Sequence, residues 1–110
     1  MGVMERINFD AEYVRPIIRG EKVTTIRKGI KSYPVGKIVD LTVNYTPFAR
    51  ARVEKVVVKR VSELTDEDAK RDGFSSKEEL IQALKRIYGE IKDSDFVTIV
   101  HFAVVESYVR

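Results

Sequence analysis

Gly20-Glu21-Lys22-Val23-Thr24-Thr25-Ile26-Arg27 joins a turn to a strand. Gly20 suits the left-handed residue that closes a helix. Val23 to Ile26 are all β-branched, a composition that fits a pleated surface. Strand alternation sends Val23, Thr25 and Arg27 to one face and Thr24 and Ile26 to the other. With Lys22 at the mouth of the strand, the first face offers a hydroxyl and two cationic donors. Such a set can hold a phosphate, a carbonyl or a base edge. The same residues also fit a solvated edge strand. The Gly-x-x-x-x-Gly-Lys-Ser/Thr phosphate loop is absent, which excludes a P-loop NTPase.

Upstream, Tyr13 and Ile17, with Val14 and Ile18 less regularly, recur at helical spacing behind the cap-type residues Asn8-Phe9-Asp10. This predicts a helix over residues 11–20, and Pro16 requires it to be short, kinked or begun near Arg15. Downstream, Lys28-Gly29 and Tyr33-Pro34-Val35-Gly36 are turn signals. Ile38 to Tyr45 alternates, with Val39, Leu41, Val43 and Tyr45 on one face of a half-buried strand that Pro47 ends. Ala49 to Val61 is a second β-rich run, in which Val56 and Val58 break the alternation of Val53, Val57 and Val61. A bulge or burial on both faces would explain the break.

A Thr65 cap and first-turn acids predict a helix from Leu64 to Gly73. Ser76-Lys77-Glu78-Glu79 reads as a capping box for a second helix that stops at Gly89. Phe96 to Val105 is a long apolar strand suited to a central position. Strands predominate and connections are short, so the expected fold is α+β, mainly β: a small barrel with peripheral helices.

The chain has 110 residues, of which 44% are apolar, enough for one core and too many for a disordered tail. Cysteine is absent, which excludes disulfides, thiolate chemistry and Cys-based metal sites. A single histidine, His101, leaves the common His-based metal sites and triads almost nothing to work with. His101 shares a strand face with Val97, Ile99, Ala103 and Val105, so a hydrogen-bonded core position is expected for it rather than catalysis. Tyr33, Tyr45, Tyr88 and Tyr108 would plug barrel ends, or stack on bases. No apolar run approaches a bilayer span and no signal-peptide core opens the sequence. The expectation is a cytoplasmic, soluble domain over residues 1–110, a monomer or weak oligomer without metal or cofactor.

The 20 Lys and Arg against 17 Asp and Glu are unevenly spread. Residues 15–37 hold seven bases against Glu21, and residues 50–60 hold five against Glu54. Residues 61–110 hold 11 acids and seven bases. A basic N-terminal half is an electrostatic footprint for a polyanion, or an ordinary solvated surface.

The order of these pieces resembles the ASCH domain family of the PUA-like superfamily. The helix ending in Gly20, Gly20 to Arg27 and Tyr33 to Val39 carry the likeness. So do Leu64-Thr65-Asp66-Glu67-Asp68-Ala69-Lys70-Arg71-Asp72-Gly73-Phe74 and the closing strand Val97 to Phe102. The resemblance implies a β-barrel with a cleft beside the Lys/Thr/Arg strand. It also implies RNA or a nucleoside or nucleotide as ligand, held by Lys22, Thr25, Arg27 and Lys28. Some bacterial members are small amidohydrolases acting on N4-acetylcytidine through a lysine, a threonine and a glutamate. Their motif positions fall on Lys22, Thr25 and Asp72, so a metal-independent amidohydrolase is the alternative reading. Aspartate is one methylene shorter than glutamate, and a displacement of ~1 Å can cost ~100-fold in rate. Asp72 also fits an exposed polar residue in the last turn of a short helix.

Overall fold

The computed structural model describes residues 5–109. A strand β1 (Arg6–Asn8) is followed by a 3₁₀ turn (Ala11–Tyr13) and α1 (Val14–Ile18). Then come β2 (Thr24–Lys28), β3 (Ile38–Val43) and β4 (Thr46–Arg60). A 3₁₀ turn (Val61–Glu63), α2 (Asp66–Arg71), α3 (Lys77–Tyr88) and β5 (Phe96–Ser107) complete the order. The strands form one sheet in the order β1-β3-β4-β5-β2, curled into half a barrel. β1 pairs with β3 in parallel and every other pairing is antiparallel. β1 and β2 are therefore the two free edges, facing each other across an open seam.

Alternation along β5 divides the core in two. Val100 and Phe102 join Phe9, Leu41 and Val53 in one apolar cluster. Val97 and Ile99 join Ile26, Leu80 and Leu84 in the other, beneath α2 and α3. Phe9 organises the first cluster, with its ring centroid 6.2 Å from that of Phe48 and 6.1 Å from that of Phe102. Among the described residues no helix is long and apolar enough to cross a membrane.

Several local readings change. The stretch before α1 divides. Asp10 is the N-cap of the 3₁₀ turn, without a side-chain cap bond. Asn8 ends β1, and its side chain accepts from the Thr42 hydroxyl at 2.8 Å and the Tyr45 N–H at 3.0 Å. It thereby ties β1 to the β3–β4 turn. α1 has only five residues, and Pro16 sits in its first turn, where a missing N–H costs nothing. β3 ends at Val43 and not at Tyr45. Asn44 and Tyr45 have φ of 48° and 65°, the two left-handed positions of a tight hairpin turn, and Tyr45 is exposed there. Pro47 lies inside β4, beside a register shift at Leu41/Thr42, where a strand tolerates a missing donor. The break in alternation along β4 is a bulge: Val53 pairs with Phe102 and Lys55 with His101, leaving Glu54 over.

The reciprocal capping box forms at Thr65 and Asp68, whose side chains accept each other's backbone N–H at 3.1 and 3.0 Å. At the start of α3 Ser76 accepts from the Glu79 N–H at 3.2 Å. The Asp68 carboxylate also accepts from Lys59 Nζ at 2.7 Å. Burial by itself would raise the Asp68 carboxyl, but Lys59 and Thr65 outweigh it and hold it below the usual range. A carboxyl lowered by folding stabilises above its unfolded value, near ~3.9, and loses that contribution as pH falls through the folded value. Asp68→Asn is expected to cost about 1–2 kcal/mol at pH 7 in urea denaturation. The difference from the parent protein should close as the pH is lowered to 3.

Candidate functional site

Arg27 bridges the open seam of the half-barrel. Its Nη2 donates to the Asn8 carbonyl at 2.8 Å and its Nε to Thr25 Oγ1 at 3.0 Å. Its guanidinium carbon stands 5.4 Å from the centre of the Phe9 ring. Beside this bridge lies a cavity of about 270 Å³. Phe9 and Tyr13 wall it from the side of the first cluster, and Ile26, Phe74, Leu84 and Tyr88 from the side of the second. The cavity is a gap between two apolar clusters that β2, an edge strand, does not close. The Phe102 N–H donates to the Val23 carbonyl and the Gly29 N–H to the Phe96 carbonyl. Antiparallel alternation therefore turns the main-chain groups of Thr24 and Ile26 away from β5 and into the seam.

The polar floor is made where the end of α2 meets the start of β2. Lys22 Nζ donates to Asp72 Oδ1 at 2.9 Å and reaches the Asp72 carbonyl at 3.3 Å. The Thr24 hydroxyl donates to the same Oδ1 at 2.9 Å. Lys22 is 4% exposed and Asp72 5%. The chain geometry that allows this is local. The Val23 N–H donates to the Arg71 carbonyl at 2.8 Å, which docks the strand on α2. Gly73 then turns away at φ +91°, and a Cβ there would lie 3.5 Å from Lys22 Cβ. A left-handed glycine lets α2 stop with Asp72 against the lysine.

Burial sets the electrostatics of the pair. It pushes Lys22 below the ordinary ammonium value, a shift that the Asp72 charge and hydrogen bond only partly offset. It pushes Asp72 above the ordinary carboxylate value, against Lys22 and Thr24. Each shift favours the uncharged form of its group, so the Lys22 amine gives up its proton more readily than a surface lysine would. Tyr13 lies over the ammonium, 5.0 Å from ring centre to Nζ. Its phenol is raised by burial and by the nearby carboxylates of Glu12, Asp72 and Asp10.

Lys22, Thr25, Arg27 and Asp72 all line the one cavity. They form two hydrogen-bonded sets, Lys22–Asp72–Thr24 and Thr25–Arg27. Lys28 lies apart from them, with Nζ 3.2 Å from the Glu90 carbonyl and 3.9 Å from Asp95. Asp72 is buried, not an exposed helix end. The basic excess does not gather here: the charged lining is Lys22 and Arg27 against Asp10 and Asp72. Thr24 escaped the sequence reading, although its two-residue spacing from Lys22 signals a shared face. Tyr13 escaped it as well. Tyr88 lines the cavity and Tyr33 packs on the first cluster, while Tyr45 and Tyr108 are exposed. His101 is half-buried rather than in the core. Among the described residues no three His, Cys, Asp or Glu side chains gather so as to hold a metal ion.

The family model of the ASCH domain matches residues 5–106. The chain belongs to the ASCH domain family. The ASCH domain from Lactobacillus crispatus JV V101 superposes with a TM-score of 0.80 at 17% identity, covering 94% of this chain and 80% of that one. A protein from Enterococcus faecalis V583 gives 0.76 at 15%, over 100% and 86%. ASCH from Zymomonas mobilis gives 0.67 at 17%, over 89% of this chain and 65% of that one. At these identities the likeness is one of fold. Among curated proteins none matches the chain in sequence.

Proposed function

We propose that this ASCH domain is a cytoplasmic module that binds a single nucleoside-type small molecule in the seam cavity. The observation that carries the reading is a compact cavity with aromatic walls and a buried polar floor that has hydrogen-bonding capacity to spare. The two side-chain bonds to the Asp72 carboxylate both fall on Oδ1, so Oδ2 can accept from a ligand amine. Thr25 Oγ1 accepts from Arg27 and keeps its own hydrogen to donate. With the main-chain groups of Ile26 these offer donors and acceptors to a heterocyclic edge, while Tyr13, Phe74 and Tyr88 can pack on its faces. A cavity of about 270 Å³ suits one nucleoside. RNA, the other ligand class the family implies, would draw on basic side chains outside it.

The Lys22–Asp72 pair favours a second reading, in which the bound ligand is N4-acetylcytidine and is hydrolysed to cytidine and acetate. Lys22 in its uncharged form, which burial favours, takes a proton from water as the oxygen adds to the acetyl carbon. The Thr25 hydroxyl, polarised by the Arg27 cation, donates to the oxyanion. The C–N bond then breaks as the Lys22 ammonium returns the proton to the departing N4, and Asp72 holds the lysine in place throughout. The expected result is loss of the N4-acetylcytidine ultraviolet band with release of cytidine. Thr25→Val should slow it roughly 100-fold. Binding of cytidine and N4-acetylcytidine without conversion would leave a pure binding module. Calorimetry showing that neither binds would overturn both readings.

A further inference from the structure

A second depression lies on the other side of Lys22 from the cavity, between the end of α1, β5 and the end of α2. Its lining combines the apolar Ile17, Ile18, Phe102 and Ala103 with Lys55, Arg71 and His101, and Glu54 is the one acid among its lining residues. Register explains the cluster. His101 on β5 stands directly opposite Lys55 on β4 and Thr24 on β2, and paired residues in antiparallel strands share a face. The bulge at Glu54 is what brings Lys55 to that position, since the extra residue re-aims the strand. Arg71 comes from α2, whose chain end docks on β2 through its own carbonyl. Its Nη1 is 3.5 Å from Asp68 and its side chain is 46% exposed, so donors of the fork remain free.

We propose that this groove is an oxyanion site that takes a phosphate group between Lys55, Arg71 and His101. Two exposed cations and an imidazole line it from three different elements. Glu54 opposes an anion, which favours one compact phosphate placed toward Arg71 over an extended contact. The imidazole fits the assignment. Burial first, then the Lys55 and Arg71 cations and, to a smaller extent, Lys59, hold it below its ordinary value, with Asp68 acting the other way. An anion seated among these groups would cancel the repulsion and let His101 take up a proton.

The site does not depend on the nucleoside reading, and its test uses no nucleoside. His101 is the only histidine, so its ring-proton resonances are assigned without ambiguity. Sulfate, a dianion across the range used, is titrated into the protein at low ionic strength between pH 5 and 8. The expected result is saturable movement of the ring signal, a His101 titration displaced upward, and tighter binding at the acidic end. Lys55→Gln/Arg71→Gln replaces exposed side chains and should weaken sulfate binding about tenfold while the fold is retained. A hexanucleotide lacking terminal phosphates and a simple alkyl phosphomonoester then compete with sulfate in separate arms. Displacement by the first assigns the phosphate to a nucleic-acid backbone, and by the second to a small metabolite. A His101 titration that sulfate leaves unmoved, or sulfate affinity unchanged in the double variant, would overturn the assignment.

Discussion

Lys22→Met is expected to destabilise the protein by about 3 kcal/mol, because it leaves a buried carboxylate without its cation, and to abolish the proposed turnover of N4-acetylcytidine. The parent pair is 2.9 Å apart, with both side chains almost wholly buried. The loss should depend on pH in a definite direction. Burial already raises the Asp72 carboxyl, and without the Lys22 charge to oppose it the carboxyl rises further. A carboxyl raised by folding contributes stability below its unfolded value and loses it as pH rises through the folded value. The deficit of Lys22→Met should therefore be largest near pH 8 and shrink toward pH 4. The double variant Lys22→Met/Asp72→Leu removes both desolvation costs and should recover most of the lost stability with no recovery of ligand binding or turnover. Urea denaturation of the three proteins at two pH values measures this. A double variant no more stable than the single one would show that the pair serves packing rather than the site.

Arg27→Met is expected to cost about 2 kcal/mol, the loss of charge-assisted hydrogen bonds to the Asn8 carbonyl and Thr25 hydroxyl. It should also weaken nucleoside binding roughly 10-fold, since the Thr25 hydroxyl is then neither oriented nor polarised. If the guanidinium acts on the ligand through Thr25, combining Arg27→Met with Thr25→Val should weaken binding little beyond the larger single effect. Arg27→Lys should rescue little, because an ammonium cannot present the planar fork that spans two acceptors in fixed directions. Calorimetric titration with cytidine across the four variants distinguishes the cases. Additive losses would mean that Arg27 contacts the ligand by itself.

Much of the fold could be read from residue patterns where a segment is long enough to display a period. β4, β5 and α3 each run ten residues or more, and the bulge in β4 announced itself as a break in valine alternation. β1 has three residues, too few for a period, so its last residue, Asn8, read as part of the helix cap. Tyr45 continued the apolar face of β3 in pattern. The chain reverses there because two consecutive residues adopt positive φ, which Asn-Tyr signals weakly. In the site, Lys22, Thr25 and Arg27 were visible because they lie in β2 or two residues before it. Lys28 was drawn in by the same adjacency, yet it turns toward Glu90 and Asp95.

The amino-acid sequence by itself determined the strand that carries the hydroxyls just after the lysine, the glycine that ends α2, and the apolar stripes that build two clusters. These are short-range properties, set by side-chain sterics and backbone preference within a few residues. Only the tertiary structure decided that Asp72, separated by 50 positions from Lys22, would pair with it, and that Thr24 would support the pair. It also decided that the seam between β1 and β2 would stay open and that a bulge would set Lys55 beside His101. Those outcomes depend on how α2 docks and how far the sheet curls. Both follow from the balance of burial over the whole chain, which no local window of residues contains.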